Sequence, residues 1–173
     1  SSAPRSGPGN GLSRGVYRRG RMSFIAGGVD CTLETAYDLP EFDTVGYQSE
    51  LVIGAMMDLG AASVARALVF NPGQGHVPLA LWKIVKPGSI ALIDRDLLAL
   101  RYAKRNLELN DCATGLVTTS HRAGVLIDGV QPFDLAVGVL RENEGTEGHV
   151  LTVEQAIRQL AAGGHVVVAA SST

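Results

Sequence analysis

The chain has 173 residues, 46% of them apolar, and a formal net charge of −2. That is enough apolar material for one packed domain and excludes a disordered chain, while the lack of any run of about 18 apolar residues excludes a helical membrane span. Two distant cysteines (Cys31 and Cys112) and four scattered histidines form neither a disulfide framework nor a metal-ligand pattern, so no metal is expected and the reducing cytoplasm is the expected compartment.

The small net charge hides an asymmetry. Residues 1–29 hold five arginines and no acid, whereas the rest of the chain holds ten basic and seventeen acidic residues. An acidic body is a poor polyanion binder unless it carries a local basic surface. Ser1–Arg21, rich in Gly, Ser, Pro and Arg, is expected to be a flexible basic arm or linker. Its composition also suits a targeting segment or an RNA-contacting arm. Residues 22–173 form the expected domain.

Met22–Ala26 and Val29–Thr35 flank Gly27-Gly28 and predict a β-hairpin, since both glycines accept positive φ. Residues 36–46 read as a loop broken by Pro40 and Gly46. Apolar positions 51, 52, 55, 56 and 59 give Gln48–Leu59 a helical face, and Gly60 ends it. Ala67–Phe70 is the first central strand. It runs into Asn71-Pro72-Gly73-Gln74-Gly75, where bare backbone can approach a ligand closely.

An amphipathic helix over Val77–Val85 follows, with Pro78 near its start and free N–H groups facing the glycines. Lys86-Pro87-Gly88 closes it. Ser89–Ile93 is a second strand stopping at Asp94. The separation of Gly73 from Asp94 suits a carboxylate that grips ribose hydroxyls, about 20 residues beyond the glycine turn. A nucleoside-containing cofactor is therefore expected. Turn glycines with a surface acid also occur in α/β proteins that bind nothing there.

A helix with a basic outer face (Arg101, Lys104, Arg105) follows, then a strand at Leu116–Thr119 and a loop holding Ser120 and His121. Phe133–Val137 is a fourth strand and Arg141–His149 a polar loop. A helix through Val153, Ile157, Leu160 and Ala161 stops at Gly163-Gly164, before a fifth strand at His165–Ala170. Strands alternating with helices from residue 67 onward predict an α/β fold, a doubly wound, mostly parallel Rossmann-like sheet preceded by the hairpin. Ligands of such sheets bind beyond the strands' carboxyl ends, here after 70, 93, 119 and 137.

These residues resemble the class I S-adenosylmethionine-dependent methyltransferases, most of all the small methyltransferase domain of ribosomal RNA guanine-N2 methyltransferases. The resemblance covers about residues 20–173. It rests on the hairpin SFIAGGVDCTLET, the segment EFDTVGYQSELVIGAMM, VFNPGQG, the strand ending at Asp94, ALRYAKRNLELN, FDLAVGVL and AIRQLAAGGHVVVAAS. It implies a methyltransferase using S-adenosyl-L-methionine, with RNA as the expected partner. Asn71, Gly73 and Gly75 would line the methionine portion, and Asp94 would accept from the ribose hydroxyls. Arg95 would sit beside the adenine and Ser120-His121 would close over it. Gly138, Val139, Leu140 and Arg141 would face the methyl group and the substrate.

The chain departs from the family pattern in instructive places. The usual glycine motif is DxGxGxG, but Asn71 replaces the acid and Val77 the last glycine. Asn71 keeps an acceptor without the charge that holds an ammonium group, a loss of about 1–3 kcal/mol in cofactor affinity. An acid after the third strand is also missing. Amino-methylating relatives carry Asn-Pro-Pro-aromatic after the fourth strand, where this chain has Gly138-Val139-Leu140-Arg141. Guanine chemistry is therefore not carried over to these residues. Related domains add a helix and an antiparallel hairpin beyond the fifth strand, so two expectations stand: the chain is a fragment of a longer protein, or the domain lacks its last strands.

Three functions follow. An active methyltransferase needs aligned donor and acceptor more than a strong base, with Glu142, Glu144 and His149 available near the loop. A catalytically degenerate domain would keep the fold as a binding or scaffolding module. A nicotinamide-dependent dehydrogenase shares the ribose acid, but Pro78 stands where its third glycine belongs.

Overall fold

In a computed structural model the described residues are 20–41, 43–59 and 63–170. The arm over Ser1–Arg21 lies outside them but for its last two residues, as does Gly60. β1 (Gly20–Ala26) and β2 (Val29–Thr35) form an antiparallel hairpin. Gly27 and Gly28 turn it at φ 57° and 75°, as a two-residue loop between twisted strands demands.

α1 (Tyr47–Asp58) leads to β3 (Arg66–Phe70), α2 (His76–Ile84), β4 (Ser89–Asp94) and α3 (Leu97–Leu109). β5 (Val117–His121), β6 (Phe133–Val139), α4 (Gly145–Arg158) and β7 (Leu160–Ala169) complete the order. The five later strands form one parallel sheet, β5-β4-β3-β6-β7. The central strand β3 is buried on both faces, which explains its unbroken apolar run. Ala67 and Val69 pack with α1, α2, α3 and the hairpin, while Leu68 and Phe70 face Val125, Leu140 and Ala156 on the α4 side.

Several boundaries differ from the sequence expectation. β5 runs on through Ser120 and His121, because both pair with β4. β6 likewise extends through Gly138 and Val139, pairing Gly138 with Phe70 and Val139 with Ala169. The polar loop is shorter than expected: a 3-10 turn at Glu142–Glu144 leads into α4 from Gly145. Leu160 and Ala161 belong to β7, not the helix, and Gly163-Gly164 lies within that strand, at a register shift opposite Phe133 and Leu135. Glycines so placed open a bulge in a strand as readily as they stop a helix.

Candidate functional site

β3, β4 and β6 end side by side, and three polar side chains meet there. Asn71 leaves β3 at φ 50°, its N–H on the Ile93 carbonyl at 3.1 Å. Its Nδ2 donates to the Val139 carbonyl at 2.8 Å, and its Oδ1 accepts from Arg141 Nε at 3.1 Å. An aspartate has no donor for the Val139 carbonyl, so the asparagine fastens β3 to β6 in a way the usual acid does not.

Asp94 closes β4 and is 3% exposed. Its Oδ1 accepts the Asp96 N–H at 2.9 Å and the Arg141 guanidinium. Its Oδ2 is buried and has no hydrogen-bond partner among the described residues. Burial pushes the carboxyl above its ordinary pKa, against the downward pull of the Asp96 N–H and the Arg141 charge. Asp96 caps α3, accepting the N–H groups of Leu98 and Ala99 at 2.9 and 3.3 Å. Both acids line the crevice, and Asp96 also starts the helix.

A cavity of about 470 Å³ opens in front of Asn71, Gly73 and Asp94. Its far wall is Glu41 of the loop before α1 with Tyr47 and Gln48 of that helix's first turn, and its roof is Val139, Leu140 and Arg141. That volume falls in the range of small-molecule sites, about 300–1,000 Å³. Gly73 lines it at φ 55°. Gly75 does not: at φ 111° it sits against α3, where a Cβ would lie 3.0 Å from Ala103 Cα. Gly138 is also outside the cavity, because a Cβ there would strike the Phe70 ring.

Arg95, Ser120 and His121 lie beyond Asp94, away from the large cavity. His121 Nε2 meets the Arg95 carbonyl at 2.9 Å, and the Arg95 guanidinium reaches Glu144 at 4.0 Å and Asn143 at 3.5 Å. A small space of about 20 Å³ opens between Arg95, Arg122, Gly124 and Glu144. Asn71 and Asp94 line both spaces. Arg141, expected to face a substrate, is turned back onto Asp94.

Sequence reasoning missed the residues that build the far wall. Gln74 is fully buried and accepts the Ala36 N–H while its Nε2 donates to the carbonyls of Leu39 (3.2 Å) and Pro40 (2.7 Å). Asn106, equally buried, accepts the Glu34 N–H at 2.8 Å and donates to the carbonyls of Glu34 (2.9 Å) and Gln74 (2.7 Å). Together they tie the hairpin and loop 36–40 to the glycine turn, and so place Glu41 over Gly73. Two amides in otherwise apolar or basic stretches were the available signal: a buried amide must find partners.

No family model matches the sequence, and no curated protein matches it. Solved structures do, and they define a class: the chain has the fold of S-adenosylmethionine-dependent methyltransferases. Among them is the T. thermophilus 16S rRNA N2 G methyltransferase RsmC, solved with AdoMet and guanosine. It has a TM-score of 0.74 and 18% identity over 88% of this chain and 42% of that one. The ribosomal protein L11 methylase of Lactobacillus delbrueckii subsp. bulgaricus aligns at 0.59 and 18%, covering 70% of this chain and 58% of its own. A Geobacter sulfurreducens methyltransferase in complex with S-adenosyl-L-homocysteine aligns at 0.56 and 22%, covering 69% and 47%. The chain therefore spans less than two thirds of each of these proteins, and at these identities the likeness is one of fold. Among the described residues, no helix is long and apolar enough to cross a membrane.

Proposed function

We propose that the chain is the cofactor-binding methyltransferase domain its fold suggests, with S-adenosyl-L-methionine held in the crevice between β3, β4 and β6. One observation carries this reading: Asp94 Oδ2 is a buried acceptor without a donor, at the carboxyl end of the strand next to the glycine turn. Such an atom costs about 1–3 kcal/mol unless something donates to it. A sugar diol supplies two donors of the right kind. The cavity in front of Gly73 has room for a compound of that size.

When bound, the sulfonium would supply an electrophilic methyl group. Asp94 would accept from the ribose and Gly73 would leave room for the methionine chain. Asn71 would hold the strand ends in register rather than touch the ammonium. Arg95, Ser120 and His121 would receive the base, which requires the Arg95 contacts with Asn143 and Glu144 to open. Gly138 and Gly75 would keep the packing beneath and beside the site, and Val139 and Leu140 would wall it against water. Methyl transfer from a sulfonium needs alignment above all, so the missing Asn-Pro-Pro-aromatic sequence leaves activity open to a substrate that brings its own nucleophile. RNA, the target named for the 16S rRNA neighbour, is the substrate class to try first.

A second reading is favoured by one contact. The Arg141 guanidinium already takes Asp94 Oδ1, as it would in a module that has given up the cofactor. Isothermal titration with S-adenosylhomocysteine separates the two. Binding with a Kd in the micromolar range supports the first, and no heat at millimolar ligand supports the second. Methyl transfer from labelled cofactor to total RNA then tests the substrate class.

A further inference from the structure

We propose that Glu41 supplies the carboxylate for the cofactor's α-ammonium group, in place of the acid missing at position 71. The inference rests on the cofactor reading above and names the residue that completes it.

Glu41 sits at the wall of the large cavity, its Oε2 3.9 Å from where a Cβ on Gly73 would stand. The carboxylate therefore overhangs the bare backbone that leaves room for a ligand's amino-acid end. Its backbone adopts φ 60°, a region that costs a non-glycine residue about 1 kcal/mol or more and persists only where the surroundings hold it. The surroundings do so from both sides. Gln74 holds the preceding carbonyls of Leu39 and Pro40, and the Gly46 N–H donates to Glu41 Oε1.

That leaves Oε2 facing the cavity. Within 4 Å its charge partner among the described residues is His76 Nδ1, at 3.6 Å, and that nitrogen makes no hydrogen bond. His76 is 1% exposed, and burial pushes its pKa down despite the neighbouring carboxylate, so burial works against the ring serving as the cation for Glu41. Arg141, the cation across the cavity, is committed to Asp94 and Asn71. A carboxylate held in a strained loop over an open glycine, beside a histidine too buried to charge readily, is a site for a primary ammonium. Asn71 is poorly suited to that part: it carries no charge, its Nδ2 is on the Val139 carbonyl and its Oδ1 already accepts from the Arg141 cation.

The test compares two ligands on the purified chain by isothermal titration. S-adenosylhomocysteine carries the ammonium; 5′-methylthioadenosine keeps sugar and base but lacks it. Glu41→Gln retains an acceptor for the Gly46 N–H and turns the other oxygen into an uncharged NH2 donor that cannot receive an ammonium. It should weaken S-adenosylhomocysteine by about tenfold or more, the scale of one charged hydrogen bond, and leave methylthioadenosine within about twofold. On wild type, the S-adenosylhomocysteine analogue with hydrogen in place of the ammonium should lose a similar factor, which needs no variant to fold. Equal weakening of both ligands by Glu41→Gln, or full affinity of the deaminated analogue, would overturn the assignment. Wild type binding neither S-adenosylhomocysteine nor methylthioadenosine would instead overturn the cofactor reading and this assignment with it.

Discussion

The guanidinium of Arg141 rests on Oδ1 of Asp94, joining the acid that ends β4 to the segment leaving β6 by an ion pair inside the crevice. A ligand that wants this carboxylate must share it with Arg141 or displace it. Arg141→Met should destabilise the ligand-free protein by about 1–3 kcal/mol. That is less than a fully buried pair costs, because the arginine side chain is 26% exposed. The variant should then gain more from S-adenosylhomocysteine than wild type does, seen as a larger rise in Tm at the same ligand concentration. An equal or smaller rise would show that Arg141 helps to hold the ligand.

Asp94 is expected to cost the fold and serve the ligand. Its folded-state pKa is raised, chiefly by burial. The native state then binds a proton more tightly than the unfolded chain, so this group's contribution to stability falls as pH rises from the unfolded to the folded pKa. Asp94→Asn should remove that loss. The variant's Tm should match or exceed wild type at pH 7 and show a flatter acid-side pH profile. Its affinity for S-adenosylhomocysteine should drop by about tenfold or more, since an amide is a weaker acceptor than a carboxylate. For wild type, the same affinity should weaken as pH falls through the raised pKa.

His76 carries the opposite sign. Burial lowers its folded-state pKa, so the unfolded chain binds the proton more readily and stability is lost as pH falls below the ordinary histidine value. His76→Phe, which keeps a ring against Phe24 at the 5.6 Å centroid distance seen for the imidazole, should flatten thermal stability between about pH 7 and 5. An unchanged slope would place the acid sensitivity elsewhere.

Asn106→Leu leaves the Glu34 N–H and the carbonyls of Glu34 and Gln74 buried without their partner. At about 1–3 kcal/mol for each group, the summed loss should be about 3 kcal/mol or more. Chemical denaturation should read it as a lower midpoint at unchanged m-value. Because the hairpin and loop 36–40 hang on this amide, ligand affinity should fall as well.

Gly138→Ala puts a methyl group into the Phe70 ring and should cost about 3 kcal/mol. Gly28→Ala, at φ 75° with open space around it, should cost only the backbone term, about 1–2 kcal/mol. Comparing the two by thermal unfolding separates crowding from backbone preference.

Much of the architecture was legible because it is local. Apolar runs and periodicity marked β3, α2 and β4 to within a residue and placed α3 after Asp94, and Gly27-Gly28 named the hairpin turn. Asp94 was picked out by its distance from the glycine turn, and the structure buries it at the head of the crevice. The misread boundaries came from pairing. Gly138 and Val139 look like a loop by composition but are strand because Phe70 and Ala169 stand beside them. The far wall was illegible for the same reason. Nothing near Glu41 in sequence says that Gln74, 33 residues on, will pin its loop over Gly73. Arg141 likewise reads as a substrate-facing side chain until β4 and β6 are brought to either side of β3.

The crevice draws Asn71, Asp94 and Arg141 from the ends of three strands that lie side by side only once the middle of the sheet is in register. No fragment of the chain holding one or two of those strands can assemble it. A small ligand that fits there should thus recognise finished molecules alone, and hydrogen exchange should slow across the whole sheet on binding rather than in one loop.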